Sequence, residues 1–266
     1  MALHVEGFFH PDSHTFSYVV HDPATRQAAV IDPVLDFDPD TGTTDTAPVQ
    51  PLLAHVAGNG LDVRWLLETH AHADHISAAR QLKSQWPRAR LAMGKGIVDV
   101  QRTFAPRYAL DIPTDGSQFD HLFDDGERFV LGEISAEVIA VPGHTSDSVA
   151  YRIGDAVFTG DSLFMPDGGT ARCDFPGGDA AVLYRSIQRL LALPDATRVF
   201  ICHDYGPDGR PVANETTIGA QRAHNIHLHA GVSEAAFVAT RQARDATLPE
   251  PKLMHPAVKA NIQGGA

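Results

Sequence analysis

The sequence contains few residues of three kinds, and each shortage argues against a class of protein. Its only two cysteines, Cys173 and Cys202, have a spacing that fits neither a disulfide framework nor a zinc site built from thiolates. It has 21 basic against 33 acidic residues, a net charge of −12. This balance argues against nucleic acid as a partner, because phosphate binding requires clustered Lys and Arg. The sequence also lacks an apolar run of the roughly 20 residues that a transmembrane helix needs, so we predict no membrane span.

The start of the chain shows no pattern of a targeting segment. Glu6 and Asp12 precede the first arginine, Arg26, which is typical of neither a secretory signal peptide nor an arginine-rich transit peptide. Together with the scarcity of cysteine, this predicts a cytoplasmic protein. The chain of 266 residues has no internal repeat and no clear linker, so we predict a single domain over residues 1–266. The oligomeric state stays open, with a homodimer as the candidate assembly.

What the sequence does contain is a dense group of metal-binding side chains. The segment ETHAHADHIS follows one apolar run and contributes four of them, while the apolar runs VIAVPGH, AVFTGD and RVFICHD each contribute one more. The seven residues are His70, His72, Asp74, His75, His144, Asp161 and His203. Sites are commonly built at the ends of strands, because the sheet fixes the positions of the residues just beyond it. We therefore predict that these side chains form one metal site.

Ligand chemistry alone allows two versions of this site. Using all seven residues gives a two-metal site that activates a hydroxide for hydrolysis, with Asp161 bridging the ions. In that version one ion is bound by His70, His72 and His144, and the other by Asp74, His75 and His203. Using only two histidines and one aspartate gives the facial triad of non-haem iron(II) oxygenases. The spacing of the residues does not choose between the two.

Two segments stand apart from the strand and helix patterns around these motifs. Asp36–Pro51 is rich in Asp, Thr and Pro and is predicted to be an exposed loop. Lys95–His121 contains Pro106, Pro113 and Gly116 and is predicted to be irregular, either a loop or a lid over a site. Helices are predicted over QPLLAHVAGNG and DAAVLYRSIQRLLAL, the second with a strongly apolar face.

The motifs THAHADH, PGHT, TGDSL and CHDYG occur in the order typical of the metallo-β-lactamase superfamily, which the chain resembles. This resemblance implies an α/β fold of the αββα sandwich type, in which two mixed β-sheets lie between layers of helices. Within the superfamily, the chain resembles the persulfide dioxygenases, also called sulfur dioxygenases, over nearly its whole length. The segments that carry this likeness are HTFSYVV, AAVIDPV, GDSLFMPDGGTARCDFPGGD and PKLMHPAVKANIQGG.

The resemblance implies a mononuclear iron site and a specific reaction. One Fe²⁺ per chain would be bound by His70, His144 and Asp161, which would also be catalytic. The other four residues would surround these ligands and orient them or, in the two-metal alternative, bind a second ion; they are His72, Asp74, His75 and His203. The implied reaction is the oxidation of glutathione persulfide by O₂ to sulfite and glutathione.

Two further residues are predicted to act on the substrate. Arg172, in the element Arg-Cys-Asp-Phe, is predicted to bind a carboxylate of glutathione, because a guanidinium matches a carboxylate in geometry and charge. An ion pair between Arg172 and Asp174 is the competing interpretation. Tyr205 follows His203 closely and is predicted to be a substrate-binding and catalytic residue near the iron.

Two other functions compete with the dioxygenase. The first is a dinuclear zinc hydrolase of the glyoxalase II type, which would cleave a glutathione thioester with the same fold, two Zn²⁺ and all seven residues. The second is a non-catalytic, redox-sensing partner protein, which would require a reactive thiol at Cys173. The quoted segments favour the dioxygenase, and the complete ligand set argues against a protein without catalysis.

Overall fold

Strands and helices alternate along residues 3–265, the part of the chain that the computed structural model describes. The strands are β1 (His4–His10), β2 (Thr15–His21), β3 (Gln27–Ile31), β4 (Val34–Asp38), β5 (Thr43–Asp45), β6 (Asp62–Leu67), β7 (Ile76–Ser77), β8 (Arg90–Gly94), β9 (His121–Phe123), β10 (Arg128–Leu131), β11 (Ile134–Ala140), β12 (Val149–Ile153), β13 (Ala156–Phe158), β14 (Arg198–Phe200) and β15 (Glu215–Thr217). The α-helices are α1 (Gln50–Gly58), α2 (Ala79–Gln85), α3 (Ile97–Arg107), α4 (Ala180–Leu191), α5 (Ile218–His224), α6 (Glu234–Asp245) and α7 (Met254–Asn261).

Two six-stranded sheets form the framework. The first has the order β1-β2-β3-β6-β8-β9, with antiparallel pairs among β1, β2 and β3 and parallel pairs from β3 onwards. The second has the order β10-β11-β12-β13-β14-β15 and is antiparallel except for the parallel pair β13–β14. Both sheets are mixed, as predicted. A small sheet of order β5-β4-β7, which the sequence did not predict, adds three strands.

The hydrophobic core has three parts that follow the layers of the fold. The central part joins residues of both sheets, such as Ile31 and Leu67 from the first and Tyr151 from the second. A second part lies between the first sheet and helices α1, α2, α3 and α7. The third lies between the second sheet and helices α4, α5 and α6. This is the predicted αββα sandwich. No helix within residues 3–265 is long and apolar enough to cross a membrane.

The predicted irregular segment Lys95–His121 is partly helical, and that prediction is corrected here. Its first half forms α3, because Ile97, Val100 and Phe104 repeat at helical spacing and are buried on one side. Pro106 lies in the last turn, next to the end of the helix, so it does not prevent the helix from forming. These side chains pack in the outer core beside the first sheet. The segment is therefore part of the helical layer, and none of its residues lines the metal cavity described below.

The segment Asp36–Pro51 is exposed, as predicted, but it is not a plain loop. The end of β4 pairs with β5 in an antiparallel hairpin, with Asp36 opposite Asp45. Gly42 permits the turn because its φ is 70°, a left-handed conformation that favours glycine. The alternation of Leu35 and Phe37 with aspartates is the strand signal that the high content of Asp, Thr and Pro obscured.

Candidate metal centre

The loops after four strands carry the seven predicted ligands to one cleft. β6 leads into the loop that contains His70 and His75, and β11, β13 and β14 lead to His144, Asp161 and His203. The imidazole rings of His70 and His144 lie 5.1 Å apart, centre to centre, in an edge-to-face arrangement. The sequence prediction that strand ends assemble these side chains agrees with this geometry.

Three of the residues converge as a compact group of two histidines and one aspartate. The ligand atoms of His70, His144 and Asp161 all lie within 4.8 Å of one another, and all three residues are buried. The Nδ1–H of His144 donates to the carbonyl oxygen of Arg172 at 2.7 Å. The Nε2 atom of His144 is then free to act as a ligand, and it lies 3.5 Å from Oδ2 of Asp161.

A chain of hydrogen bonds orients His70 in the same way. The hydroxyl of Thr69 donates to Asp32 at 2.8 Å, so its oxygen accepts from Nδ1–H of His70 at 3.0 Å. Burial, with the neighbouring His72, holds the pKa of His70 well below its usual range, so the ring is neutral near pH 7. Neutral imidazole is the form that binds a metal.

The carboxyl group of Asp161 is ionised despite its burial. Burial alone would raise its pKa, but the nearby imidazole of His203 and those of His70 and His144 lower it below the usual range of a carboxyl. The group therefore offers one negative charge and two imidazole nitrogens, a set of hard and intermediate ligands that suits a divalent iron or zinc ion.

The other ligands predicted in the HxHxDH motif contact carboxylates of the protein. Nε2 of His72 lies 3.1 Å from Oδ1 of Asp32 and 3.4 Å from Oε2 of Glu68. His72, Asp74 and His75 form a second convergent group, also within 4.8 Å, with Nδ1 of His75 3.3 Å from the Asp74 carboxylate. The four histidine and aspartate ligands of the HxHxDH motif are thus divided between two groups.

His203 faces two carboxylates from the opposite side of the cleft. Its Nε2 lies 3.3 Å from Asp161 and 3.6 Å from Asp74, and its Nδ1 lies 3.3 Å from the hydroxyl of Thr15. Burial lowers its pKa, but Asp161 and Asp74 outweigh burial and raise the pKa to about 9.

The buried nitrogens of the cleft fit a metal ion. Nε2 of His70, Nδ1 of His72 and Nε2 of His75 are buried and have no hydrogen-bond partner within residues 3–265. Buried polar atoms in folded proteins almost always have a partner. These unpaired nitrogens are divided between the two convergent groups, and a metal ion bound in either group would give its nitrogens a partner.

Two acidic residues that support the site were missed by the sequence reasoning. Asp32 accepts hydrogen bonds from the backbone N–H and the hydroxyl of Thr69, both at 2.8 Å, and also contacts His72. Asp147 accepts from the backbone N–H of Ala71 at 2.9 Å. Both carboxylates therefore fix the backbone of the loop that contains the HxHxDH motif. The position of Asp32 directly after the apolar run AAVI was the signal in the sequence that could have identified it.

A cavity of about 460 Å³ opens onto the group of His144, Asp161 and His203. Phe164 and Phe175 are among its apolar walls. Tyr205 lines the cavity, and its ring is stacked 6.2 Å from that of His203, while its role toward a substrate stays a prediction. Because 60% of the surface of Tyr205 is exposed, this residue lies at the entrance rather than at the floor.

Arg172 also lines the cavity, but most of its hydrogen-bonding capacity is already used. Its Nε and Nη2 donate to the two carboxylate oxygens of Asp174 at 2.6 and 2.7 Å, and Nη1 donates to the carbonyl of Pro249 at 2.7 Å. The competing ion pair with Asp174 is thus present in the structure. Binding of a substrate carboxylate by Arg172 stays a prediction.

Cys173 does not have the environment of a redox-sensing thiol. The residue is buried, and burial raises the pKa of its thiol to about 12. Reactivity requires the thiolate, whose population near pH 7 is then negligible. The structure therefore gives no support to the redox-sensing function.

Curated proteins similar to this chain carry names of two kinds. The family described as the metallo-beta-lactamase superfamily matches residues 11–203. A beta-lactamase hydrolase-like protein of Xylella fastidiosa is 52% identical over 98% of this chain, which spans 60% of that protein's length. Glyoxylase B2 of Dictyostelium discoideum is 44% identical over 98% of this chain and 90% of that protein. The mitochondrial persulfide dioxygenase ETHE1 of Homo sapiens is 30% identical over 97% of this chain and 87% of that protein.

Two solved structures are similar over most of the chain. ETHE1 from Myxococcus xanthus is 32% identical with a TM-score of 0.78, covering 99% of this chain and 100% of its own. A protein solved in a di-iron-bound form is 28% identical with a TM-score of 0.56, covering 80% of this chain and 95% of its own. The fold is therefore shared with a protein named as ETHE1 and with one that binds two iron ions.

Proposed function

The chain belongs to the metallo-beta-lactamase superfamily, and from this premise we propose that it is a glutathione-dependent persulfide dioxygenase. The observation that carries the proposal is the convergence of His70, His144 and Asp161 into a group of ligands that excludes His72. Two histidines and one carboxylate are the facial triad of non-haem iron(II) oxygenases. The likeness to ETHE1 over nearly the whole chain supports the same assignment.

The proposed reaction converts glutathione persulfide, O₂ and water into glutathione, sulfite and two protons. The S–S bond breaks, and the outer sulfur gains three oxygen atoms, two from O₂ and one from water. That sulfur loses four electrons, and O₂ takes them up. A ferrous ion held by the three residues would bring O₂ and the persulfide sulfur together, which replaces an encounter of two molecules in solution.

The residues of the chain have separate parts in this proposal. The carbonyl of Arg172 and the hydroxyl of Thr69 fix the rings of His144 and His70, so that each presents Nε2 to the same point. Phe164 and Phe175 line the approach and limit access of water to the reacting sulfur. Tyr205 at the entrance is placed to contact the substrate.

A second candidate function has its own support. His72, Asp74 and His75 also converge within 4.8 Å, and a second ion there would complete the dinuclear zinc site of a thioester hydrolase. The similarity to glyoxylase B2 of Dictyostelium discoideum is in keeping with that chemistry.

Two assays on the same preparation separate the candidates. The dioxygenase should consume O₂ when glutathione persulfide is added and should leave S-lactoylglutathione intact. Asp161→Asn, which keeps the shape of the side chain but removes its charge, should lose the O₂ consumption. Hydrolysis of the thioester without any O₂ consumption would overturn the proposal in favour of the dinuclear hydrolase.

A further inference from the structure

Three histidines outside the metal cavity form a cluster where the first sheet meets α1. His4 is in β1, His21 ends β2, and His55 is in the last turn of α1. The rings of His4 and His21 lie 4.6 Å apart, centre to centre, while those of His4 and His55 lie 6.5 Å apart and nearly parallel. The three are not among the residues that line the metal cavity. The proposed catalytic site therefore gives them no role.

The pairing of β1 with β2 brings two of these rings together. His4 and His21 are directly opposite each other in this antiparallel pair, and the Cβ atoms of such residues lie about 4.5–5.5 Å apart. Side chains alternate along a strand, so both rings are on the same face as Val19, which packs in the outer core with Leu52 of α1. The same helix adds His55. Because β1 is the outermost strand of its sheet, the cluster is open to solvent at His4.

Two of the rings have a buried nitrogen for which the protein supplies no partner. Nδ1 of His21 and Nε2 of His55 are buried and make no hydrogen bond within residues 3–265. Buried polar atoms in folded proteins almost always have a partner. The nearest aromatic neighbour of His55 besides His4 is Phe8, at 5.8 Å edge-to-face, and a phenyl ring has no lone pair to offer. Both nitrogens are therefore available to an ion.

The environment of His21 keeps its ring in the form that binds a metal. Burial lowers the pKa of His21, and the neighbouring His4 and His55 lower it further, while Asp22 opposes them with a smaller effect. The ring is therefore neutral near pH 7. Neutral imidazole is the ligand that a divalent transition metal requires.

We infer that His4, His21 and His55 form a separate metal site, which binds a divalent ion that prefers nitrogen ligands, such as Ni²⁺ or Zn²⁺. Imidazole suits zinc, copper and nickel, and this set has no carboxylate to make it harder, unlike the catalytic set with Asp161. Because His4 is exposed, its ring can turn to bring a nitrogen toward the other two. The ion would join an edge strand to α1 and stabilise this corner of the fold, with no part in the catalytic reaction.

Calorimetric titration of the iron-loaded protein with Ni²⁺, carried out without oxygen, tests the inference without any turnover. One Ni²⁺ per chain should bind, and the iron content should not change. His4→Ala should weaken Ni²⁺ binding by about tenfold or more, since even the loss of a group that only orients a ligand costs roughly 10- to 100-fold. The matched control is His224→Ala, which removes an exposed histidine outside both the cluster and the metal cavity. Its affinity for Ni²⁺ should equal that of the unmodified protein.

Two further measurements separate this site from the catalytic cleft. Ni²⁺ should raise the melting temperature of the unmodified protein more than that of His4→Ala, because an ion that binds only the folded state stabilises it. His75→Ala, which changes the second group of ligands in the cleft, should keep its affinity for Ni²⁺. The inference would be overturned by equal Ni²⁺ binding in His4→Ala and His224→Ala, or by the absence of Ni²⁺ binding. Loss of Ni²⁺ binding in His75→Ala, or release of iron during the titration, would overturn it as well.

Discussion

The two halves of the histidine-rich cleft have similar residues but different surroundings. In the half formed by His70, His144 and Asp161, protein groups accept a hydrogen bond from Nδ1 of each imidazole ring. Nε2 of each ring is then free to bind a metal ion. In the other half, Nδ1 of His72 and Nε2 of His75 also have no partner within residues 3–265, but His203 lies between two carboxylates that raise its pKa. The difference teaches that ligand type alone does not define a metal site. The partner of each ring decides whether its nitrogen is available.

The largest expected effect comes from removing a ligand in the first half. His144→Ala should weaken iron binding by roughly a hundredfold or more, since loss of a group that only orients a ligand already costs roughly 10- to 100-fold. Iron content of protein purified without oxygen, measured beside the melting temperature, checks this. Iron content close to that of the unmodified protein would remove His144 from the site.

The matching change in the second half should be far milder. His203→Ala should retain most of the iron, because in the proposed site His203 lies beside the ligand Asp161 and does not bind the ion. Turnover should fall, because the variant loses the charge beside Asp161. If His203→Ala loses iron as completely as His144→Ala, the two halves act together and the site holds two ions.

Two buried threonines, one in each half of the cleft, allow the same comparison through the loss of a single hydroxyl group. Thr69 fixes His70 and Thr15 contacts His203, and both threonines are buried. Thr69→Val should weaken iron binding roughly tenfold, within the range for orienting groups, whereas Thr15→Val should change it much less. Titration of the metal-free proteins with Fe²⁺ measures both. Equal losses would contradict the assignment of the ion to the first half.

The smallest expected effect concerns the wall of the cavity. Arg172 is paired with Asp174 and contacts Pro249, so Arg172→Ala should raise the KM for glutathione persulfide only about fivefold, as for an ion pair worth about 1 kcal/mol. Iron content should not change, and Arg172→Lys should recover part of the loss. Asp174→Ala should raise the KM in the same direction. A lower KM in Asp174→Ala would show instead that the freed guanidinium binds the substrate.

The fold and the convergence of the candidate ligands could be predicted from the sequence for a physical reason. Buried strands read as apolar runs, and a ligand that directly follows such a run occupies a fixed position. This placed His144, Asp161 and His203 at strand ends, where the structure has them. The helical part of Lys95–His121 was missed because its prolines and glycine outweighed the apolar spacing of Ile97, Val100 and Phe104.

Contacts between residues distant in sequence could not be predicted in the same way. The pairing of Arg172 with Pro249 and the approach of Arg244 and Lys252 to the cavity depend on how α6 and the following segment pack. The supporting role of Asp32 likewise depends on a loop more than thirty residues away, which the parallel pairing of β3 with β6 brings beside it.

In the proposed function, one half of the cleft binds the catalytic ion and the other half does not. The most direct test purifies the protein without oxygen, counts its metal, and measures O₂ consumed and sulfite formed after glutathione persulfide is added. We expect one iron per chain and one O₂ consumed for each sulfite. Two zinc ions per chain, with thioester hydrolysis and no consumption of O₂, would contradict it.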